Sequence, residues 1–155
     1  MNSKITKEKG FTIIEVVLVL AIAGLIFLVV FLALPALQKS QRDNQRKNDV
    51  GRLVAAVGSA KANSNGKTPL TFTNGYATSV GTLVTDYMDG NFKDPSTDAA
   101  YSYTGVVMPT SVGEISIFKT SAADPCAATG VTASQTGTKT AVRIALENGN
   151  YCQLM

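Results

Sequence analysis

Histidine is absent from this 155-residue chain, and cysteine occurs only at Cys126 and Cys152. Without histidine the commonest general base is missing, and neither a glycine-rich phosphate loop nor a metal-ligand spacing takes its place. The acids cluster in loops, with no apolar pocket around them to shift their titration. Catalysis is therefore not expected, and neither is a cofactor. Charge is scarce as well: 14 Lys and Arg against 11 Asp and Glu leave a net +3. Lys4, Lys7 and Lys9 against Glu8 place +2 of that excess in the first ten residues. So small and local a surplus gives no reason to expect a specific nucleic-acid partner.

One stretch lacks charge altogether. From 16 to 34, nineteen residues carry none, which makes about 28 Å of helix against a hydrocarbon core ~30 Å thick. This segment can span a membrane. The remainder, rich in Thr, Ser, Gly and Asn, reads as one modest soluble domain. With a span near the start, most of the chain is expected outside the cytoplasm, where Cys126 and Cys152 would oxidise to a disulfide; two unrelated free thiols are the alternative. A second basic block, residues 38–52, holds Lys39, Arg42, Arg46, Lys47 and Arg52 against Asp43 and Asp49. Just beyond a membrane segment, such a stripe is expected to meet lipid headgroups or water.

Lysines ahead of an apolar run suggest a secretory signal. The A-x-A match, Ala21-Ile22-Ala23, sits inside the run with eleven apolar residues still to follow, so cleavage there would leave a hydrophobic stub. No cysteine stands nearby for a lipoprotein signal. The clearer boundary is earlier, in Lys9-Gly10-Phe11-Thr12-Ile13-Ile14-Glu15. A short basic leader, a Gly-Phe junction, an acid at the fifth position after it and a long apolar tail together resemble the prepilin peptidase motif of type IV pilins and their relatives. The resemblance implies cleavage on the cytoplasmic side after Gly10 and N-methylation of the new N-terminal Phe11. Gly10 has no side chain to obstruct a protease at the membrane surface. Cutting there converts the Phe11 nitrogen from a neutral amide to a cation, and methylation preserves that charge.

Glu15 is then explicable. A lone carboxylate costs ~2.5–3.5 kcal/mol at mid-membrane and less near an interface. The first turn of a helix offsets that by a few tenths to about 1 kcal/mol. In a packed filament core, without water or headgroups, the charge needs a cation. The resemblance implies the Phe11 amine of a neighbouring subunit, which makes Glu15 an assembly residue that fixes register. The spacing of four also allows Phe11 and Glu15 to pair within one helix.

Beyond Leu34, Pro35 should kink the helix. Gly24 permits close helix approach and matches the glycine usual in the family, whereas Pro35 lies about one turn later than the family's common kink proline. Val50, Leu53, Val54, Val57 and Ala60 then recur at helical spacing, and Asn63-Ser64-Asn65-Gly66 supplies a stop. From Phe11 to about residue 62 this makes one bent rod of roughly 75–80 Å. Val80, Leu83, Val84, Tyr87 and Met88 predict a short helix before a loop over 89–99. Segments 101–108 and 114–120 read as strands joined across 109–113. In 139–147, Val142, Ile144 and Leu146 share one face, with Arg143 and Glu147 on the other. Asn148-Gly149 predicts a hairpin that returns 151–154 onto that strand.

The expected fold is α+β: a long N-terminal helix with its apolar half protruding, packed on an antiparallel sheet of about four strands, as in type IV pilins. The expected organisation is a leader at 1–10, an apolar transmembrane or filament-core helix at 11–35, its amphipathic continuation at 36–62, and a globular domain at 63–155. Phe92-Lys93-Asp94-Pro95 and Tyr101-Ser102-Tyr103 are similar to a segment of pilins and of the pseudopilins of type II secretion systems. Asp86, Asp89, Asp94 and Asp98 lack calcium-loop spacing, so solvated turn carboxylates are expected and no metal. A Cys126–Cys152 bridge would resemble the disulfide-bounded C-terminal region of many type IV pilins. It would close a loop of about 27 residues, worth roughly 3–4 kcal/mol in the chain-entropy model.

The resemblance implies a filament subunit, membrane-inserted through a single pass with its N-terminus cytoplasmic, then displayed on a surface pilus for adhesion or twitching motility. Its partners would be copies of itself, minor pilins, the prepilin peptidase, membrane lipid before assembly, and an inner-membrane assembly platform with its ATPase. A pseudopilin or minor pilin of a secretion or DNA-uptake system is the alternative. A third reading, a monomeric signal-anchored binding domain, gives Glu15 no role.

Overall fold

Helix α1 runs from Ile13 to Asn63 in the computed structural model, which describes residues 10–155. Apart from Gly10, the expected leader lies outside the described residues. Pro35 sits inside α1 without ending it, since a single proline removes one backbone donor from an otherwise good helix-forming run. The stop falls where the sequence places it. Asn65 adopts a left-handed φ of 52°, and the Gly66 amide reaches back to the Lys61 carbonyl at 2.9 Å. That is a Schellman closure with asparagine in the left-handed position.

The chain forms two compact units, one ending at Gln38 and the other spanning Lys39–Met155. In the first, the described residues belong to the apolar part of α1 and its start. The large apolar side chains between Phe11 and Leu37 are 45–90% exposed. Among the described residues of that unit, none of these side chains is buried.

In the second unit, the rest of α1 packs on a six-stranded sheet. The strands are β1 (Phe72–Thr73), β2 (Tyr76–Ala77), β3 (Ser102–Tyr103), β4 (Glu114–Thr120), β5 (Lys139–Leu146) and β6 (Gly149–Leu154), with helix α2 at Val80–Tyr87. The order is β1-β2-β4-β5-β6, and β3 also pairs with β4. Val50, Leu53 and Ala60 of α1 meet Ile115, Ile117, Val142, Ile144 and Leu146 of the sheet, with Val80 and Leu83 of α2, in one buried cluster. The helical and strand periods thus meet on a shared apolar face.

Two sequence expectations need correction. The strand expected over 101–108 is only two residues long, and it runs parallel to β4, with Ser102 opposite Glu114 and Tyr103 opposite Ile115. It is not a hairpin arm, because Tyr101 is buried and held by α1 and so sets where the strand enters. The β5–β6 turn lies one residue earlier than Asn148-Gly149: Leu146 pairs with Gly149, leaving Glu147-Asn148 as the loop. Gly149 has φ 97°, a conformation glycine adopts without strain. The sheet face away from α1 is covered as well, since Ser116, Phe118, Thr120, Ala141 and Arg143 are all buried.

Candidate functional site

The apolar segment begins with a reciprocal cap. The Glu15 carboxylate accepts hydrogen bonds from the Thr12 amide at 3.0 Å and the Thr12 hydroxyl at 2.9 Å, while the Glu15 amide donates to the Thr12 hydroxyl at 3.4 Å. Thr12-Ile13-Ile14-Glu15 is a capping box, a pattern of threonine and glutamate three apart that satisfies two of the helix's orphan donors. The spacing is visible in the sequence and was not used there. Glu15 is therefore bonded within its own helix, to Thr12, while Oε2 takes both of these bonds and leaves Oε1 open. Phe11 is 90% exposed, and a shallow apolar groove runs from Phe11 and Glu15 past Val16, Val19 and Leu20. A side chain built on Gly24 would meet nothing within 4 Å, so its smallness is unused inside the chain. α1 contains a stretch long and apolar enough to cross a membrane.

The second constellation lies where α1 enters the folded unit, and it overturns two expectations. The basic block over 38–52 does not simply face headgroups or water. Arg46 is fully buried, and Asp43 and Asp49 are nearly so. Arg46 forms a fork on Asp94, Nε to Oδ2 at 2.7 Å and Nη2 to Oδ1 at 3.0 Å, and also bonds Ser96 at 3.0 Å, Asp43 at 3.1 Å and Glu147 at 3.3 Å. Arg42 holds Glu147 through both carboxylate oxygens, at 2.6 and 2.9 Å. Asp43 in turn receives the amides of Glu147 at 2.9 Å and Asn148 at 3.2 Å. Those two bonds fix the β5–β6 turn in its observed register.

Asp94 is thus not a solvated turn carboxylate. Burial pushes its carboxyl up, but the Arg46 fork and Ser96 outweigh that and hold it down at about 2. Arg42, helped by Arg46, likewise holds Glu147 at about 2 against partial burial. One turn further along α1, Asp49 accepts from the Tyr101 hydroxyl at 2.8 Å and from Arg52 at 3.0 Å, and Arg52 also contacts Asp89. Burial, then the bond to Asp49, pushes the Tyr101 phenol up. No cluster of metal-ligating type occurs among the described residues. A guanidinium occupies the cation position beside Asp94.

Cys126 and Cys152 are joined, with Cα atoms 5.6 Å apart. Arg143, opposite Cys152 across the β5–β6 ladder, donates to the carbonyls of Pro125 and Ala127 on either side of Cys126. Gln135 completes the tie. Its amide oxygen accepts from Gly75 at 2.9 Å, and its amide nitrogen donates to the Phe72 carbonyl at 2.9 Å. No signal in the sequence links Gln135 or Arg143 to these partners.

The family model for the prokaryotic N-terminal methylation motif matches residues 5–31, which is the class III signal of type IV prepilins. No curated protein and no solved structure matches the chain.

Proposed function

We propose, from the premise that this is a prepilin-like chain with a class III signal, that it is the structural subunit of a type IV pilus. It enters the membrane through the apolar part of α1, is cleaved after Gly10 by a prepilin peptidase, is N-methylated at Phe11, and polymerises into a surface filament. The observation that carries this reading is the row of exposed apolar side chains from Phe11 to Leu37. Fully burying one such side chain is worth ~1.5–3 kcal/mol, so the segment demands either lipid or copies of itself. A membrane satisfies that demand before assembly, and a bundle of identical helices satisfies it afterwards. Heterologous contacts that never close make such a bundle a filament.

Within that bundle the open Oε1 of Glu15 faces the task of neutralising an amine that only the processed chain possesses. Glu15→Ala should therefore abolish filaments while leaving the precursor inserted and its folded unit intact. The measurement is the amount of chain in material sheared from the cell surface, with mass spectrometry of its N-terminus. The expected species starts at methylated Phe11 and is abundant. A normal filament yield from Glu15→Ala, or a sheared product that retains residues 1–10, defeats the proposal. A trace amount beside a more abundant subunit replaces it with a minor-pilin role.

A further inference from the structure

β2 and β3 pair with the same edge of β4, but at different heights: Tyr76 sits opposite Phe118, whereas Ser102 and Tyr103 sit opposite Glu114 and Ile115. The other edge of β4 is taken by β5. Between the two short strands a cleft of about 500 Å³ opens, walled by Tyr76 and Tyr103 and lined by Thr73, Asn74, Thr104 and Gly105 among others. Ligand sites commonly fall within ~300–1,000 Å³. None of the residues lining this one is charged.

The walls are held in place independently of any ligand. Asn74 and Gly75 both have positive φ, 52° and 84°, which makes the β1–β2 connection a tight two-residue turn. The Gly75 carbonyl accepts from the Lys119 amide at 2.7 Å, and its amide is held by Gln135. A Cβ on Gly75 would collide with the Ser134 backbone at 2.6 Å, so the turn is wedged against the loop behind it. On the other side the Thr104 amide donates to the Ile115 carbonyl at 2.9 Å. The Tyr103 hydroxyl is a neutral donor at physiological pH, as a phenol is at its ordinary value, and partial burial pushes it further up, to about 12.

We infer that this cleft is a binding site for a neutral saccharide. A pyranose ring offers an apolar C–H face and a rim of hydroxyls. The first suits an aromatic wall, the second suits threonine hydroxyls and an asparagine amide. The absence of charge on the walls disfavours phosphate, carboxylate and ammonium ligands. Gly105 lies in the lining beside Tyr76: a Cβ built there would sit 4.0 Å from the Tyr76 ring, at ordinary contact distance, so a longer side chain at 105 would take up cleft volume. The inference does not depend on polymerisation, because the cleft belongs wholly to the folded unit.

The test uses the full chain in a zwitterionic, sugar-free detergent. The probes are methyl glycosides of glucose, galactose, mannose and N-acetylglucosamine, followed by saturation-transfer NMR. At least one should bind saturably with a Kd on the order of 1 mM, transferring saturation to its ring C–H protons. Tyr103→Ala should weaken that binding by about tenfold or more, whereas Tyr103→Phe retains most of it. Gly105→Leu should block the cleft without disturbing the fold, and unchanged thermal unfolding checks that independently of Tyr103. No saturable binding by any probe overturns the inference. So does binding that survives a folded Gly105→Leu chain. Filament yield from the same variants should equal wild type, so failure here and failure of the pilus reading are separately visible.

Discussion

At Arg46, five polar contacts converge on a guanidinium with no exposed surface. Replacing it with methionine keeps the stem packed but leaves the buried Asp94 carboxylate without its cation, while Asp43 keeps the Glu147 and Asn148 amides and Glu147 keeps Arg42. Removing one partner from a buried ionic cluster costs about 3–5 kcal/mol. Arg46→Met should therefore lower the free energy of unfolding by that amount in a denaturant titration of the full chain. Arg46→Lys should recover only part of it, since an ammonium cannot reproduce the planar fork on Asp94. A methionine variant as stable as the parent would contradict this account. The burial of Arg46 was half-legible in the sequence. The stripe Val50, Leu53, Val57, Ala60, extended backwards at the same spacing, lands on Arg46 and then Asp43. Periodicity thus points both side chains at the sheet, while their charge argues for water. What decides between them is Asp94, 48 residues away, and nothing local announces that pairing.

Among elements, the long periodic ones were readable and the short ones were not. α1, α2, β4 and β5 carry their own apolar spacing, and β6 follows from the turn signal ahead of it. β1, β2 and β3 are two residues each, too short for any period, and exist because distant groups complete their hydrogen bonds. The β5–β6 hairpin shows both effects at once. Asn148-Gly149 announced it, but Asp43 on α1 grips the amides of Glu147 and Asn148 and so settles which residues turn. With Gly149 at φ 97°, a side chain there is strained by about 1–2 kcal/mol. Gly149→Ala should reduce stability by that much in the same titration. Asn150→Ala, at the very next position but with no positive φ, should lie within about 0.5 kcal/mol of wild type.

For the molecule as a whole, the buried network sets an acid limit. Asp94 and Glu147 are both held at about 2 when folded, whereas free carboxyls titrate near ~4. Their contribution to stability is therefore complete above the unfolded values and is lost as pH falls toward the folded ones. Unfolding monitored by circular dichroism should show a plateau above about pH 5 and a decline from there to about pH 2. In Arg46→Met that acid decline should be smaller, because the cation that depressed Asp94 is gone. At the alkaline end the sign reverses: Tyr101, raised above its ordinary value by burial and by Asp49, stabilises below pH ~10 and less as it ionises. None of this was legible in a composition with so few charges, since the count says nothing about which of them are dry.

The bridge between Cys126 and Cys152 has a mechanical corollary. β6 is the terminal strand of the sheet, and Cys152 sits in its second half. Peeling β6 away from its Leu154 end frees Gln153 and Leu154, then reaches a covalent bond. To go further, the sheet must give up its Arg143-bound cover at the same time. Fraying from that side is therefore halted almost at once, and rupture beyond it proceeds as a single event.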